Sequence, residues 1–230
     1  MKQLRALTLA VVVSALFASN IAASAEAPPT PPVPVPEMPA DARVYSCIEA
    51  LIDLLPGDYY ACRARYYFER NHNTLGVSML ESASYWAKKD AQYVLGLIYF
   101  NGDTPGYAAN RPLALAWLGL AAERKDATYL RAYEAASEQS TAADVKQAGV
   151  LEQKMRLKYG DRVAGKRALQ RFNHGIASLE NTANGGGSVY LSGYSPYPEN
   201  ASTVLSDMHK RADADFQGLI STVTVGDVEK

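Results

Sequence analysis

The chain has 230 residues, with 23 Lys and Arg against 24 Asp and Glu and a formal net charge of −1. That length holds one sizeable domain with room for an appendage, and so even a charge balance supplies no general field for nucleic acid. The most basic stretch, Asp144 to Arg171, scatters eight Lys/Arg and three Asp/Glu around a helical pattern, which predicts a solvated face and not an anion site.

The first 25 residues read as an address label. Lys2 and Arg5 precede an apolar run of 13 residues, Ala6 to Ala18, and Ala23-Ser24-Ala25 supplies the small residues that a signal peptidase needs. The spacing predicts a signal peptide over 1–25, cleaved after Ala25, and a periplasmic or secreted protein. Cleavage removes two basic residues and no acidic one, taking the net charge from −1 to −3. The apolar run is short of the roughly 20 residues that a bilayer takes, so no stable membrane insertion is expected after cleavage. Residues 26–40 follow as a Pro-rich disordered linker: seven of the twelve prolines fall between Ala27 and Pro39, a composition that favours polyproline II and cannot join a core.

Both cysteines, Cys47 and Cys62, lie in the exported part, which suggests one disulfide in an oxidising compartment. Pro56-Gly57 marks a turn between them, and two antiparallel helices folded there would bring the pair level. Two free buried thiols or a metal pair are the rival readings. A metal would need more ligands, and His72, His174 and His209 fall in no ligand spacing.

Residues 41–180 read as helix after helix, each with an apolar stripe of helical period. The stripes include Ala64, Tyr67 and Phe68; Leu75, Met79, Ala83 and Trp86; Ala91, Val94, Leu95, Ile98 and Tyr99; and Ala168, Leu169, Phe172, Ile176 and Leu179. Ser140-Thr141 is a candidate N-cap for the helix that carries Val145, Ala148, Leu151, Met155 and Tyr159. The segment Leu113 to Ala122, LALAWLGLAA, has no charge and is apolar nearly all round, so it should be walled in by other helices. Beyond Asn181, residues 181–230 suggest a small α/β appendage: a strand at Ser188 to Ser192, an amphipathic helix from Ala201 to Leu219, and a second strand at Thr222 to Val228. Two strands around one helix do not hold together alone, so the appendage should dock on the helices.

KKDAQYV at Lys88 recurs 36 positions on within ERKDATYL at Glu123, and a period in the thirties marks a helical solenoid. Ala91, Leu95, Gly96, Tyr99 and Gly102, then a loop, then Ala114, Trp117, Ala121 and Ala122, form a pattern that resembles the Sel1-like repeat, a relative of the tetratricopeptide hairpin. The resemblance covers Ala91 to Asp126, with degenerate copies over 58–89 and 127–159; the loop departs from the family at Pro105-Gly106-Tyr107 and Asn110. It implies a mainly α fold, a short right-handed α-solenoid of antiparallel helical hairpins with the strand-helix-strand appendage at its end.

No catalytic motif is present. Gly193-Tyr194-Ser195 runs into Pro196 and makes no nucleophile elbow, and there is no S-x-x-K, H-E-x-x-H or C-x-x-C. Gly185-Gly186-Gly187 lacks the spacing of a phosphate cradle. The expectation is therefore no catalytic residue, no metal and no cofactor. The resemblance implies an exported scaffold of the bacterial envelope that binds a peptide or protein. Its enzymatic alternative is a β-lactam-binding or β-lactam-hydrolysing protein, as implied by secreted members with a disulfide in every repeat. Here a single cysteine pair precedes the clean copy.

Overall fold

A computed structural model describes residues 47–219; the expected signal peptide, the Pro-rich linker and the Thr222 to Val228 strand lie outside them. Within that range the protein is mainly helical. Its α-helices are α1 (Leu51–Leu54), α2 (Pro56–Phe68), α3 (Asn73–Tyr85), α4 (Lys89–Asn101), α5 (Arg111–Ala121), α6 (Ala127–Glu138), α7 (Ala142–Tyr159), α8 (Lys166–Asn184) and α9 (Ala201–Asp215).

Local chemistry sets many of the boundaries. Pro56 opens α2, where its missing N–H costs no helical bond. Asn110, Asp126 and Asn200 cap α5, α6 and α9 through side-chain oxygens, and Thr141 with Asp144 forms a reciprocal capping box on α7. Asn71, Ala87 and Lys125 all take left-handed φ values near +60° just before α3, α4 and α6 begin. Gly102 ends α4 in the same conformation, and a Cβ there would lie 2.4 Å from the Ala109 nitrogen.

Pro56-Gly57 does not fold two equal helices together. It starts α2, and only the single turn of α1 precedes it. Cys47 and Cys62 are nonetheless joined by a disulfide, with Cα atoms 5.7 Å apart. The bridge therefore staples the segment ahead of α1 to α2.

Helix α2 packs on α3, α3 on α4, and α4 on α5; α5 in turn carries both α6 and α7, which make little contact with each other. Helix α5 is the inner member. Every residue from Ala114 to Ala121 is buried. Tyr93, Leu97 and Phe100 of α4 wall it on one side, with Ala132 and Ala136 of α6 and Ala148 of α7 in the same cluster. Small residues let these backbones approach: a Cβ on Gly96 would sit 2.6 Å from Leu118 Cγ, and one on Gly119 would sit 2.7 Å from the Glu152 carboxylate. Gly96→Ala should therefore cost about 1–3 kcal/mol by overpacking. Urea denaturation checks this, and an unchanged midpoint would mean that the α4–α5 contact yields freely.

Some stripes are rotated from their expected faces. Leu75 is exposed and the buried set of α3 is Gly76, Val77, Leu80, Ala83 and Ser84, because Gly76 lies directly against the Phe68 ring. Val145 is also exposed, while Ala148 is the buried residue of α7.

A second core joins α1, α8 and α9 through Leu51, Leu54, Leu55, Phe172, Ile176, Leu179, Val204, Met208 and Phe216. The strand ahead of α9 is shorter than expected and differently paired. Ser188–Val189 runs antiparallel to Glu199–Asn200, with Ser188 opposite Asn200, so the described order is strand, strand, helix. Pairing is local because the Gly193 turn lets the chain double back against residues 47–49. The Ala50 N–H bonds the Ser192 carbonyl there.

Candidate functional site

Two clefts lie at the junction of the helical layers. The first is a groove of about 480 Å³ lined by Tyr60 of α2, by Ser78, Glu81, Ser82, Tyr85 and Trp86 along and just past α3, and by Lys158 and Tyr159 at the end of α7. Ser78, Ser82 and Tyr85 recur at spacings of four and three, which puts them on one helix face. The rings are held from behind. Trp117, in the buried α5, packs on Tyr159 with ring centroids 4.8 Å apart. The Arg167 guanidinium lies 3.5 Å from the Tyr85 ring centre, and Tyr85 meets Trp86 edge to face. The groove thus offers four aromatic rings, with Glu81 and Lys158 supplying opposite charges on its lining.

The second cleft, about 520 Å³, is polar; Lys88, Asp90, Arg124, Tyr129 and Asp215 line it. Its charges belong to a network that joins five parts of the chain. Lys88 bridges Asp58 of α2 and Asp215 at the end of α9. Lys89 is buried and donates to Glu123 at 2.9 Å, to Gln92 at 3.1 Å and to the Leu120 carbonyl at 2.7 Å, with Asp161 at 3.1 Å. Arg124 grips both oxygens of Asp161, at 2.8 and 2.9 Å, and also donates to the backbone carbonyls of Asp215 and Ala87. Bidentate pairing of this kind is strong and directional.

Burial sets the electrostatics of this network. It pushes Asp215 up to about 7, and the Asp58 charge adds to that, against the pull of Lys88. Burial pulls the Lys88 ammonium down, but Asp58 and Asp215 outweigh it and hold the group above its ordinary value. Lys89 ends below its ordinary value: burial dominates, Asp161 and Glu123 offset it only in part, and Arg124 lowers it further. Burial also raises Tyr129, whose hydroxyl donates to Asp90, and that carboxylate raises it again. Lys88, Lys89 and Arg124 are engaged with carboxylates and backbone oxygens of the same chain, so this cleft acts as a clamp between layers and not as an open receptor.

The nine signature residues are packing positions. Ala91, Leu95 and Trp117 sit in the core shared by α2, α3, α4 and α5, and Ala114 and Ala121 in the core shared by α4 to α7. Gly96 and Gly102 occupy the close approaches described above. The Tyr99 carbonyl accepts the Asn110 N–H at 2.7 Å, which ties the end of α4 to the start of α5, and the Ala122 carbonyl accepts from Lys125. Only Trp117 touches a groove residue through a ring contact. Cys47 and Cys62 do not line either cleft.

The 36-residue repeat is out of structural register. Helices α4 and α6 begin 38 residues apart, so Asp126 caps α6 while Asp90 lies inside α4. The repeated tyrosines are not equivalent either: Tyr93 and Tyr129 touch each other, with ring centroids 5.4 Å apart. Trp86 ends α3, whereas Trp117 lies within α5. The clamp is not legible in the sequence, because its acidic partners lie 30 to 127 residues from Lys88 and Lys88-Lys89-Asp90 reads as a short polar break. Of the groove rings, Trp86 and Tyr159 were legible only as stripe residues, and Tyr60 and Tyr85 belonged to no stripe.

No family model, no curated protein and no solved structure matches the chain. Among the described residues no cluster of His, Cys, Asp and Glu has the arrangement of a metal site, and no helix is long and apolar enough to cross a membrane.

Proposed function

We propose that this protein is an exported peptide-binding scaffold of a bacterial envelope, built from Sel1-like helical hairpins, and that it acts without a cofactor. The helical pairs α2–α3 and α4–α5 would be two units of a short right-handed solenoid, with α6 and α7 as a third unit opened out around α5. Export to the periplasm or beyond is the companion proposal; the Cys47–Cys62 disulfide supports an oxidising destination.

The observation that carries the binding reading is the aromatic groove between α3 and α7. Rings backed by a buried tryptophan and an arginine are already ordered, so a ligand meets a surface that costs little to organise. Tyr and Trp supply large apolar faces together with polar tips, a combination that suits an extended backbone. The clamp offers less, since Lys88, Lys89 and Arg124 are already paired within the chain.

The test is retention of the purified, disulfide-intact protein on an immobilised panel of extended peptides. Tyr60→Ala and Tyr85→Ala should each weaken binding about tenfold, the equivalent of roughly 1.4 kcal/mol, with unchanged circular dichroism. Equal retention of the native protein and both variants would remove the groove as the receiving surface. Nitrocefin turnover that survives repurification would turn the reading towards an enzyme.

A further inference from the structure

We infer that the groove between α3 and α7 is the seat of this chain's own segment Pro32 to Pro39, PVPVPEMP, which an incoming peptide has to displace. The inference rests on the peptide-binding reading above and names the first occupant of that surface.

The segment's spacing suits it. Polyproline II has three residues per turn, so in that conformation Pro32, Val35 and Met38 would fall on one edge and Val33, Pro36 and Pro39 on a second. Two of the three edges are wholly apolar. The third would carry Pro34 and Glu37, which keeps the segment's single charge turned away from the rings. Proline-rich chains dock in aromatic-lined grooves because their backbone is already extended and their carbonyls are free to accept hydrogen bonds. Here Tyr60, Tyr85, Trp86 and Tyr159 provide the rings, and the tyrosine and indole groups provide donors, while the Ser82 hydroxyl donates to the Ser78 carbonyl. From Ser78 to Tyr85 the α3 wall runs roughly 10 Å, about one polyproline turn at ~3.1 Å per residue.

The tether makes the segment a strong competitor. Cys47 is pinned to Cys62 on α2, the helix that also bears Tyr60. Residues 60 and 62 point to nearly opposite sides of that helix, so a segment seated against Tyr60 would have to reach it around the helix. Seven residues lie between Pro39 and Cys47, and the eight steps across them reach up to about 26 Å, well beyond a helix of roughly 10 Å diameter. Short tethers of this kind raise the local concentration of a ligand to the millimolar range. Even a weak proline–aromatic contact would then hold in cis.

Tryptophan emission of the full chain reads this out. Trp117 is buried and Trp86 lines the groove, so accessibility to acrylamide follows Trp86. The triple variant Pro32→Ser, Pro34→Ser, Pro36→Ser should expose Trp86 to quenching at least twofold more than the native chain, with identical circular dichroism. Synthetic PVPVPEMP added to the triple variant should restore the shielding saturably; adding Tyr85→Ala to that variant should abolish the restoration. Equal quenching in the native and triple-variant chains, with no effect of the peptide, overturns self-docking. If that chain still retains other extended peptides in a Tyr85-dependent way, the groove survives as a binding surface and only its first occupant is wrong. If it retains none, both readings fall.

Discussion

Replacing Lys88 with alanine should lower the unfolding free energy by about 3–5 kcal/mol at pH 8, the usual cost of stripping one partner from a buried ion cluster. The ammonium stands between Asp58 and Asp215, and removing it leaves two carboxylates facing each other with little water. The companion variant Asp215→Asn separates charge from packing, because the amide stands in for the protonated acid. Asp215 lies near 7 in the folded protein, against about 3.9 in an unfolded chain. Its contribution to stability is therefore fully present below about pH 4 and is lost as pH rises through 7. Lys88 is held above its ordinary value and stays charged throughout that window, so it adds no slope. The stability advantage of Asp215→Asn over the native protein should accordingly grow by about 2–3 kcal/mol from pH 5 to pH 8. Urea denaturation at the two pH values gives the answer, and parallel behaviour of the two proteins would place the Asp215 proton elsewhere.

Trp117→Ala is the second large effect. The indole is buried with Leu95, Ile98 and Leu120 and supports the Tyr159 ring from below. Truncation should cost about 3–5 kcal/mol through lost burial and an unfilled cavity, lowering the thermal midpoint by roughly 10 °C. The variant also separates packing from recognition. At a temperature where it is still folded, it should bind groove peptides more weakly, because Tyr159 has lost its backing. Full peptide affinity in the folded variant would show that Tyr159 needs no such support.

Much of the framework was legible in residue order. LALAWLGLAA reads as a helix with no polar side, and the folded chain buries it among α4, α6 and α7. The capping role of Thr141 was equally visible, since a hydroxyl ahead of an amphipathic run acts within one turn. The stripes of α8 and α9 also lie on their expected faces, with Phe172, Ile176, Val204 and Met208 inside.

Where sequence reading failed, a distant contact made the choice. Leu75 faces solvent because Gly76 takes the close approach to Phe68, and nothing in the local stripe distinguishes those two rotations. Ser188–Val189 pairs with Glu199–Asn200 because the intervening turn brings them together; composition identifies a strand without identifying its neighbour. The repeated Lys-Asp-Ala-x-Tyr segments look equivalent, yet a two-residue shift in helix start gives their aspartates different work.

The sequence by itself determined the run of helices, the Thr141 cap and the inner position of α5, because hydrophobic period and capping chemistry act over a few neighbouring residues. Only the tertiary structure decided which charges meet and which aromatic rings share a groove. Lys88 finds Asp215 across 127 positions, and Tyr60, Tyr85 and Tyr159 come together from three helices. Such partners are selected by the packing of whole layers, and that packing depends on the shape of every side chain between them.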